Sequence, residues 1–492
     1  MILSKRELLT RTFVFIGVLC LCMTCIGNKN LGFDEFCSME IARSLHSMTN
    51  ILHNYESNMW LYYALLHFWM KLGENALLLR SLSALFAAGA VLVLYIIAAE
   101  FINKKTGLIA AGLMALNVFF ISHAQEARGY SLLLLLGISA TLFFCRMLRH
   151  GGIGSAVIYA LLSVATLYTH YFAALLILVQ FMFMFFTPFY SQRKRVLVLA
   201  FGIIAAATIS ILVLQPLQVS QIGWIAKPGI EQVYEVLYQI SGSSRIILGC
   251  LCIAGAWALL KTILENKQNK TNVWFHSYLA SSIALPILLA FAASRLITPV
   301  FLSKYLILSL PGLIMLAASG ISSIKRKMLL YPVLALMGLS LASGLFDHYK
   351  PEINGWQNAA RLVASQGKPS DGILYYTYFS QYPFEYYMSR AIASTEQPTA
   401  IPITHGVKGY YSFIPALVPI PDTVVIAGLA QFHNRIWLVL SHDRINTPVR
   451  KLGRELVINN LSKNFTAVKE WKFTNAEVVL WEHRPPLPVP AP

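Results

Sequence analysis

Charge is what this sequence has least of: Asp, Glu, Lys and Arg make up 12% of 492 residues, 57% are hydrophobic, and mean hydropathy is +0.60. So little charge excludes an ordinary soluble globular chain and points to an integral membrane protein. Acids are scarcer than bases, 22 Asp and Glu against 39 Lys and Arg, giving a formal net charge of +17. The bases stand in small groups between apolar runs rather than on one continuous face, so topology accounts for them and no nucleic-acid partner is expected. The seven cysteines lie mostly inside apolar segments, with neither zinc nor disulfide spacing. The sequence also lacks a glycine-rich phosphate loop and an internal repeat of the transporter kind. No small-x-small cleavage site precedes Asn28, so the apolar stretch after Lys5, Arg6 and Arg11 is expected to remain as a first helix rather than a cleaved signal.

What is present is a series of about eleven apolar runs near the length that crosses a bilayer. They cover 8–27, 76–100, 107–122, 129–147, 153–169, 171–190, 196–214, 244–264, 273–293, 304–320 and 328–346. The expected fold class is a polytopic α-helical membrane protein. The groups Lys5/Arg6/Arg11, Lys104/Lys105, Arg146/Arg149, Arg193/Lys194/Arg195, Lys261/Lys267/Lys270 and Lys325/Arg326/Lys327 fall in alternate loops, which puts the N-terminus in the cytoplasm. The opposite loops hold Asp34, Glu35, Glu40, Glu56, Glu74, Glu126, Glu231 and Glu235, so any chemistry is expected on the outer face.

The first outer loop, about 28–75, carries apolar positions at helical spacing over 36–45 and 60–72, as interfacial helices would. With it, 1–346 forms the expected membrane domain. From 347 to 492 the pattern changes to helices (355–365, 383–389, 449–461) alternating with strands (372–378, 424–427, 436–441, 467–473, 477–482), which predicts an extracytoplasmic C-terminal α/β domain. Its Pro-rich end, 485–492, is expected to be disordered.

Four constellations bear chemistry. Asp34 with Glu35 follows the first apolar run; a carboxylate there can take a proton from an alcohol, or be simply solvated. Ser122–Tyr130 contains Glu126 and Arg128 in a short outer loop, where the two either pair structurally or face a ligand cavity; Arg128 offers forked donors suited to phosphate. His170 sits in the Tyr168–Phe172 turn as a helix-end residue or a ligand, and with Glu56 or Glu126 it could complete a divalent-metal site, although no spacing requires one. Arg295 and Lys304, the latter beside Tyr305, lie at the outer ends of two runs, where they snorkel or bind an anionic headgroup, with Arg245 as a further candidate.

The order of these pieces resembles the C superfamily of glycosyltransferases, of the bacterial family 39 type, which includes protein O-mannosyltransferases and lipid A aminoarabinose transferases. The resemblance rests on Phe33-Asp34-Glu35, Gln125–Tyr130, Thr169-His170-Tyr171-Phe172 and Pro299–Leu306, with Trp356–Arg361 and Pro383–Tyr387 in the outer domain. It implies a multi-pass protein of the bacterial inner membrane with a periplasmic C-terminal domain. The implied activity is inverting transfer of a sugar from a polyprenyl-phosphate donor to a hydroxyl on a glycan, lipid or protein. Asp34 then matches the general base and Glu126 the second acid. Arg128, Tyr130, Lys304 and Tyr305 match the donor-phosphate site, to which Arg295 and His170 are added. Lys304 stands where an Arg-Tyr pair is common, keeping the charge and losing the fork. Tyr55–Tyr63 lacks the prolines of its counterparts, and Glu56 takes the position of a metal-ligating acid, so a divalent metal at Glu56 and His170 is the one cofactor implied. The competing class is a lipid-linked sugar flippase or small-molecule transporter. It would place ionisable residues near mid-membrane, where these runs have almost none.

Overall fold

The computed structural model describes residues 4–46, 48–49, 58–188, 194–214, 225–265, 270–351, 354–368, 370–376, 378–392, 426, 428–441 and 448–484. The chain divides into two compact units, residues 1–28 with 37–350, and residues 29–36 with 351–492.

The first unit is helical: α1 (Lys5–Met23), the greater part of α2 (Phe33–Arg43), α3 (Trp60–Trp69), α4 (Ala76–Phe101), α5 (Lys104–Ala115), α6 (Val118–Ala124), α7 (Tyr130–His150), α8 (Ile153–Thr169), α9 (Ala173–Phe185), α10 (Lys194–Leu214), α11 (Ile230–Ile240), α12 (Arg245–Glu265), α13 (Lys270–Leu296), a 3-10 helix (Ser303–Ser309), α14 (Leu310–Ser322) and α15 (Lys327–His348). Asparagine starts three of them. Asn75, Asn103 and Asn117 accept from the backbone N–H of Leu78, Thr106 and Phe120, the capping bond worth about 1 kcal/mol each. Small and hydroxylic residues of α4 such as Ser83, Ala84, Ala87 and Ala88 pack inward, while Leu161, Ile253, Leu288 and Leu339 point outward, a distribution that suits lipid rather than water.

Among the described residues, six helices are long and apolar enough to cross a membrane, or seven with α5 and α6 taken together as one bent pair; α8, α9 and 196–210 are shorter apolar helices. The run expected as one span over 107–122 is thus broken, with a 66° bend between α5 and α6. Asn117 stabilises the break by capping α6 and donating its amide to the Ile240 carbonyl. Two of the expected basic groups meet through one acid, and others have local partners. Glu7 pairs with Arg11 and Lys104 and accepts from Tyr95, Glu100 pairs with Arg146, and Lys105 donates to the Ser322 carbonyl.

The helix expected from 36 is α2. The one expected over 60–72 is α3 continued by a 3-10 turn to Leu72, and it buries Tyr62, Tyr63 and Leu66 while exposing Phe68 and Leu72.

In the second unit, α16 (Gly355–Gln366), β1 (Gly372–Tyr376), α17 (Tyr378–Ile392), β2 (Arg435–Ser441), α18 (Pro448–Asn464), β3 (Phe465–Phe473) and β4 (Ala476–His483) build a sheet of order β1-β2-β4-β3. β1 pairs parallel with β2, and the other pairings are antiparallel. Alternation along β2 serves two cores: Trp437 and Val439 pack with Trp356, Val363 and Phe384, while Ile436, Leu438 and Leu440 pack with Val457 and Leu461. Gly355 is required at the head of α16, because a Cβ there would lie 1.8 Å from the Thr474 carbonyl oxygen. Residues 29–36 join this unit through Phe36, whose ring meets Tyr386 at 5.3 Å and Tyr387 at 6.5 Å. The expected strand at 424–427, Ile426 apart, and the tail 485–492 lie outside the described residues.

Candidate active site

In the first unit the turn between α6 and α7 is held from several directions. Gln125, 6% exposed, donates its amide to the carbonyls of Cys22 and Thr24 at 2.9 and 2.7 Å, and its side-chain oxygen accepts from His348 Nε2 at 3.0 Å. Ser131 donates to the His123 carbonyl, and Ser83 to that of Arg128. Gly129 heads α7 where the Tyr62 Cβ would stand 3.2 Å from any added Cβ.

This frame buries a positive charge. Arg128 is 8% exposed, and its Nη1 donates to the Tyr63 hydroxyl at 3.0 Å and the Ser38 hydroxyl at 3.3 Å. Glu126 pairs with His123 through Nδ1 at 3.0 Å, and the His123 ring lies 5.0 Å from Tyr130.

Tyr130 leads on to the other expected residues. Its ring is 6.1 Å from His170, and Lys304 Nζ lies 6.0 Å from its centroid. Tyr305 in turn packs on His170 at 5.1 Å and Phe172 at 5.2 Å. His170 occupies the turn after α8, fully buried. The Phe172 N–H donates to its Nδ1 at 3.2 Å, so the neutral ring carries its proton on Nε2. That Nε2 is buried with no hydrogen-bond partner among the described residues. Burial pushes the imidazolium down to about 3, helped by the positive charges of Arg128 and Lys304, so His170 is a neutral donor at physiological pH.

Five of the expected residues, Arg128, Tyr130, His170, Lys304 and Tyr305, therefore form one connected group, and Glu126 reaches it through His123. Arg295 is elsewhere. It is exposed at the end of α13 and donates to the Pro228 carbonyl, with nothing among the described residues tying it to the group.

Asp34 and Glu35 belong to the second unit and differ in environment. Asp34 is half-buried in the first turn of α2. Glu35 is 3% exposed and accepts from the Gly32 N–H at 2.7 Å, the back-reaching half of a capping box.

Glu56 lies outside the described residues, and no group of three or more His, Cys, Asp or Glu among those described could hold a metal. Nδ1 of His170 accepts from the Phe172 N–H.

Reasoning from sequence passed over Ser38, Tyr63 and His123 as functional partners. His123 was signalled by its offset of three from Glu126 on a helix end; the two hydroxyls carried no local signal.

No protein-family model and no curated protein matches the chain. Among solved structures, ArnT from Cupriavidus metallidurans bound to undecaprenyl phosphate superposes with a TM-score of 0.62 at 11% identity, covering 95% of this chain and 97% of that one. Its apo state gives 0.59 at 13%. The arabinofuranosyltransferase AftD from mycobacteria gives 0.52 at 15% identity, covering 98% of this chain and 42% of its own. The chain thus shares the fold of ArnT over nearly its whole length, in keeping with the resemblance carried by the motifs.

Proposed function

We propose that this multi-pass membrane protein transfers one sugar from a polyprenyl-phosphate carrier to a hydroxyl acceptor, with inversion. The observation that carries the reading is the buried group around His170: two cations, Arg128 and Lys304, bear on an imidazole whose Nε2–H donor is buried with no hydrogen-bond partner among the described residues. Such a group favours an anion with several oxygens. In the fold it shares, ArnT is seen with undecaprenyl phosphate.

The reaction follows from these residues. Asp34 accepts the proton of the acceptor hydroxyl as that oxygen attacks the anomeric carbon, and the bond from that carbon to the phosphate oxygen breaks. The electron pair leaves with polyprenyl phosphate, where Arg128, Lys304 and the His170 N–H stabilise it, with Tyr130 and Tyr305 holding the His170 ring. Displacement from the face opposite the phosphate inverts the centre. Glu126 acts as a second acid by orienting His123. The donor's lipid tail stays in the bilayer, which accounts for about eleven spans, a cytoplasmic N-terminus and a periplasmic second unit in a bacterial inner membrane. Hexosyl and pentosyl donors, and lipid A, glycan or protein acceptors, are all compatible with this chemistry.

The test is transfer from a panel of radiolabelled polyprenyl-phosphate sugars to membranes of a deletion strain, with wild type compared against Asp34→Asn. Label incorporation by wild type alone is expected. Transfer surviving in the variant would remove Asp34 as base, and no transfer from any donor would remove the reaction.

A further inference from the structure

Beside the anion group lies a cavity of about 400 Å³, lined by Val118, Phe119, Ser122 and His123 of α6, Glu235 and Gln239 of α11 with Ser243, and Leu302, Ser303 and Lys304. Its size is that of a small-molecule site, and the lining mixes apolar surface with a carboxylate, an amide, hydroxyls, an imidazole and one ammonium.

Two of these lining residues tie it to the group already described. Both His123 and Lys304 approach the ring of Tyr130, the ring that packs against His170. A ligand whose phosphate rests among Arg128, His170 and Lys304 would therefore place its directly bonded neighbour in this cavity.

The far lining is organised in advance. Ser303 donates its hydroxyl to the Gln239 side-chain oxygen, and Gln239 Nε2 donates to Glu235 Oε1 at 2.6 Å. Spaced four apart on α11, Glu235 and Gln239 share one helix face. Every bond in the chain points the same way, from hydroxyl to amide to carboxylate, so it ends on a carboxylate with acceptor capacity to spare. A carboxylate and an amide fixed together recognise adjacent hydroxyls, the chemistry of a sugar ring.

We propose that this cavity is the sugar-binding subsite, with Glu235 and Gln239 as the residues that read the hydroxyls of the sugar carried on the donor phosphate. The inference rests on the transferase reading above, and it assigns specificity to α11.

The test compares the affinity of purified protein for undecaprenyl phosphate with that for undecaprenyl-phosphate monosaccharides, hexosyl and pentosyl, in wild type, Glu235→Gln, Gln239→Leu and Lys304→Ala. Wild type should bind at least one glycosylated lipid more tightly than the bare lipid. Glu235→Gln and Gln239→Leu should bind bare undecaprenyl phosphate within about twofold of wild type, which also reports an intact fold, and lose about tenfold for the glycosylated lipid. Lys304→Ala should weaken both.

Equal affinities for both lipids in wild type and variants would overturn the subsite. So would α11 variants that raise KM for the acceptor and leave donor affinity unchanged, since the cavity would then hold the acceptor. Failure of wild type to bind undecaprenyl phosphate at all would instead sink the transferase reading, and the subsite with it.

Discussion

The backbone N–H of Phe172 points at Nδ1 of His170 and donates to it at 3.2 Å, and that one bond decides which nitrogen of the ring carries the proton. With Nε2–H as a buried donor and the imidazolium depressed to about 3, His170 keeps its neutral form through the whole physiological range.

The sign of its pH effect follows. Between about 3 and the ordinary histidine value near 6.5 the unfolded chain binds a proton that the folded chain refuses, so His170 makes stability fall as pH drops through that window and contributes no change above it. Transfer activity should show no ionisation near 6.5 that His170→Gln abolishes. Loss of an acidic limb in that variant would mean that His170 titrates in the working range.

Arg128→Lys should weaken undecaprenyl phosphate binding by about tenfold or more, because an ammonium cannot hold Tyr63 and Ser38 and still present a planar fork. Tyr63→Phe should cost less, about two- to tenfold, since Arg128 keeps its charge. Titration of both variants with undecaprenyl phosphate checks the order.

The adjacent acids should separate cleanly. Asp34→Asn is expected to lower turnover by about 100- to 10,000-fold with bare-lipid affinity unchanged. Glu35→Gln should keep turnover, because an amide oxygen can still accept from Gly32, whereas Glu35→Ala should cost about 1 kcal/mol of stability. Matched kinetic and thermal-unfolding measurements on the three variants resolve the two roles.

Gln125→Leu should lower the unfolding midpoint, as the carbonyls of Cys22 and Thr24 lose a donor inside the helical unit, about 1–3 kcal/mol for buried groups left unpaired. Thermal scans in one detergent, with Gln125→Glu alongside, measure it.

A reporter fused after Lys350 should read as external to the cytoplasm. A cytoplasmic signal would invert the orientation drawn from the basic loops.

Hydropathy located most apolar helices because each needs a long uniform run, and the strands at 436–441 and 477–482 because a short apolar run with β-branched residues ends at polar positions there. It could not see the bend in 107–122: Asn117 alone barely lowers the local average, and what breaks the helix is a cap and a bond to distant Ile240. The cluster of Arg128, His170 and Lys304 was legible only as residues of one face, since their meeting depends on how separate helix ends pack. Glu35 was legible in principle, three positions after the Gly32 that it caps. The placement of Arg295 away from the group was not, for nothing in its neighbourhood distinguishes it from Lys304.

One side chain joins two walls of the cavity proposed to hold the sugar. Asn117 caps the helix that supplies Phe119, Ser122 and His123, and the same amide grips the last carbonyl of the helix that supplies Glu235 and Gln239. Beyond that carbonyl the chain turns back at Gly242, in a left-handed conformation 3.4 Å from the Asn117 amide by its absent Cβ. The two walls are riveted at their base. A substitution at position 117 would move both at once, making this residue, which touches no sugar, a gauge for which ring fits between them.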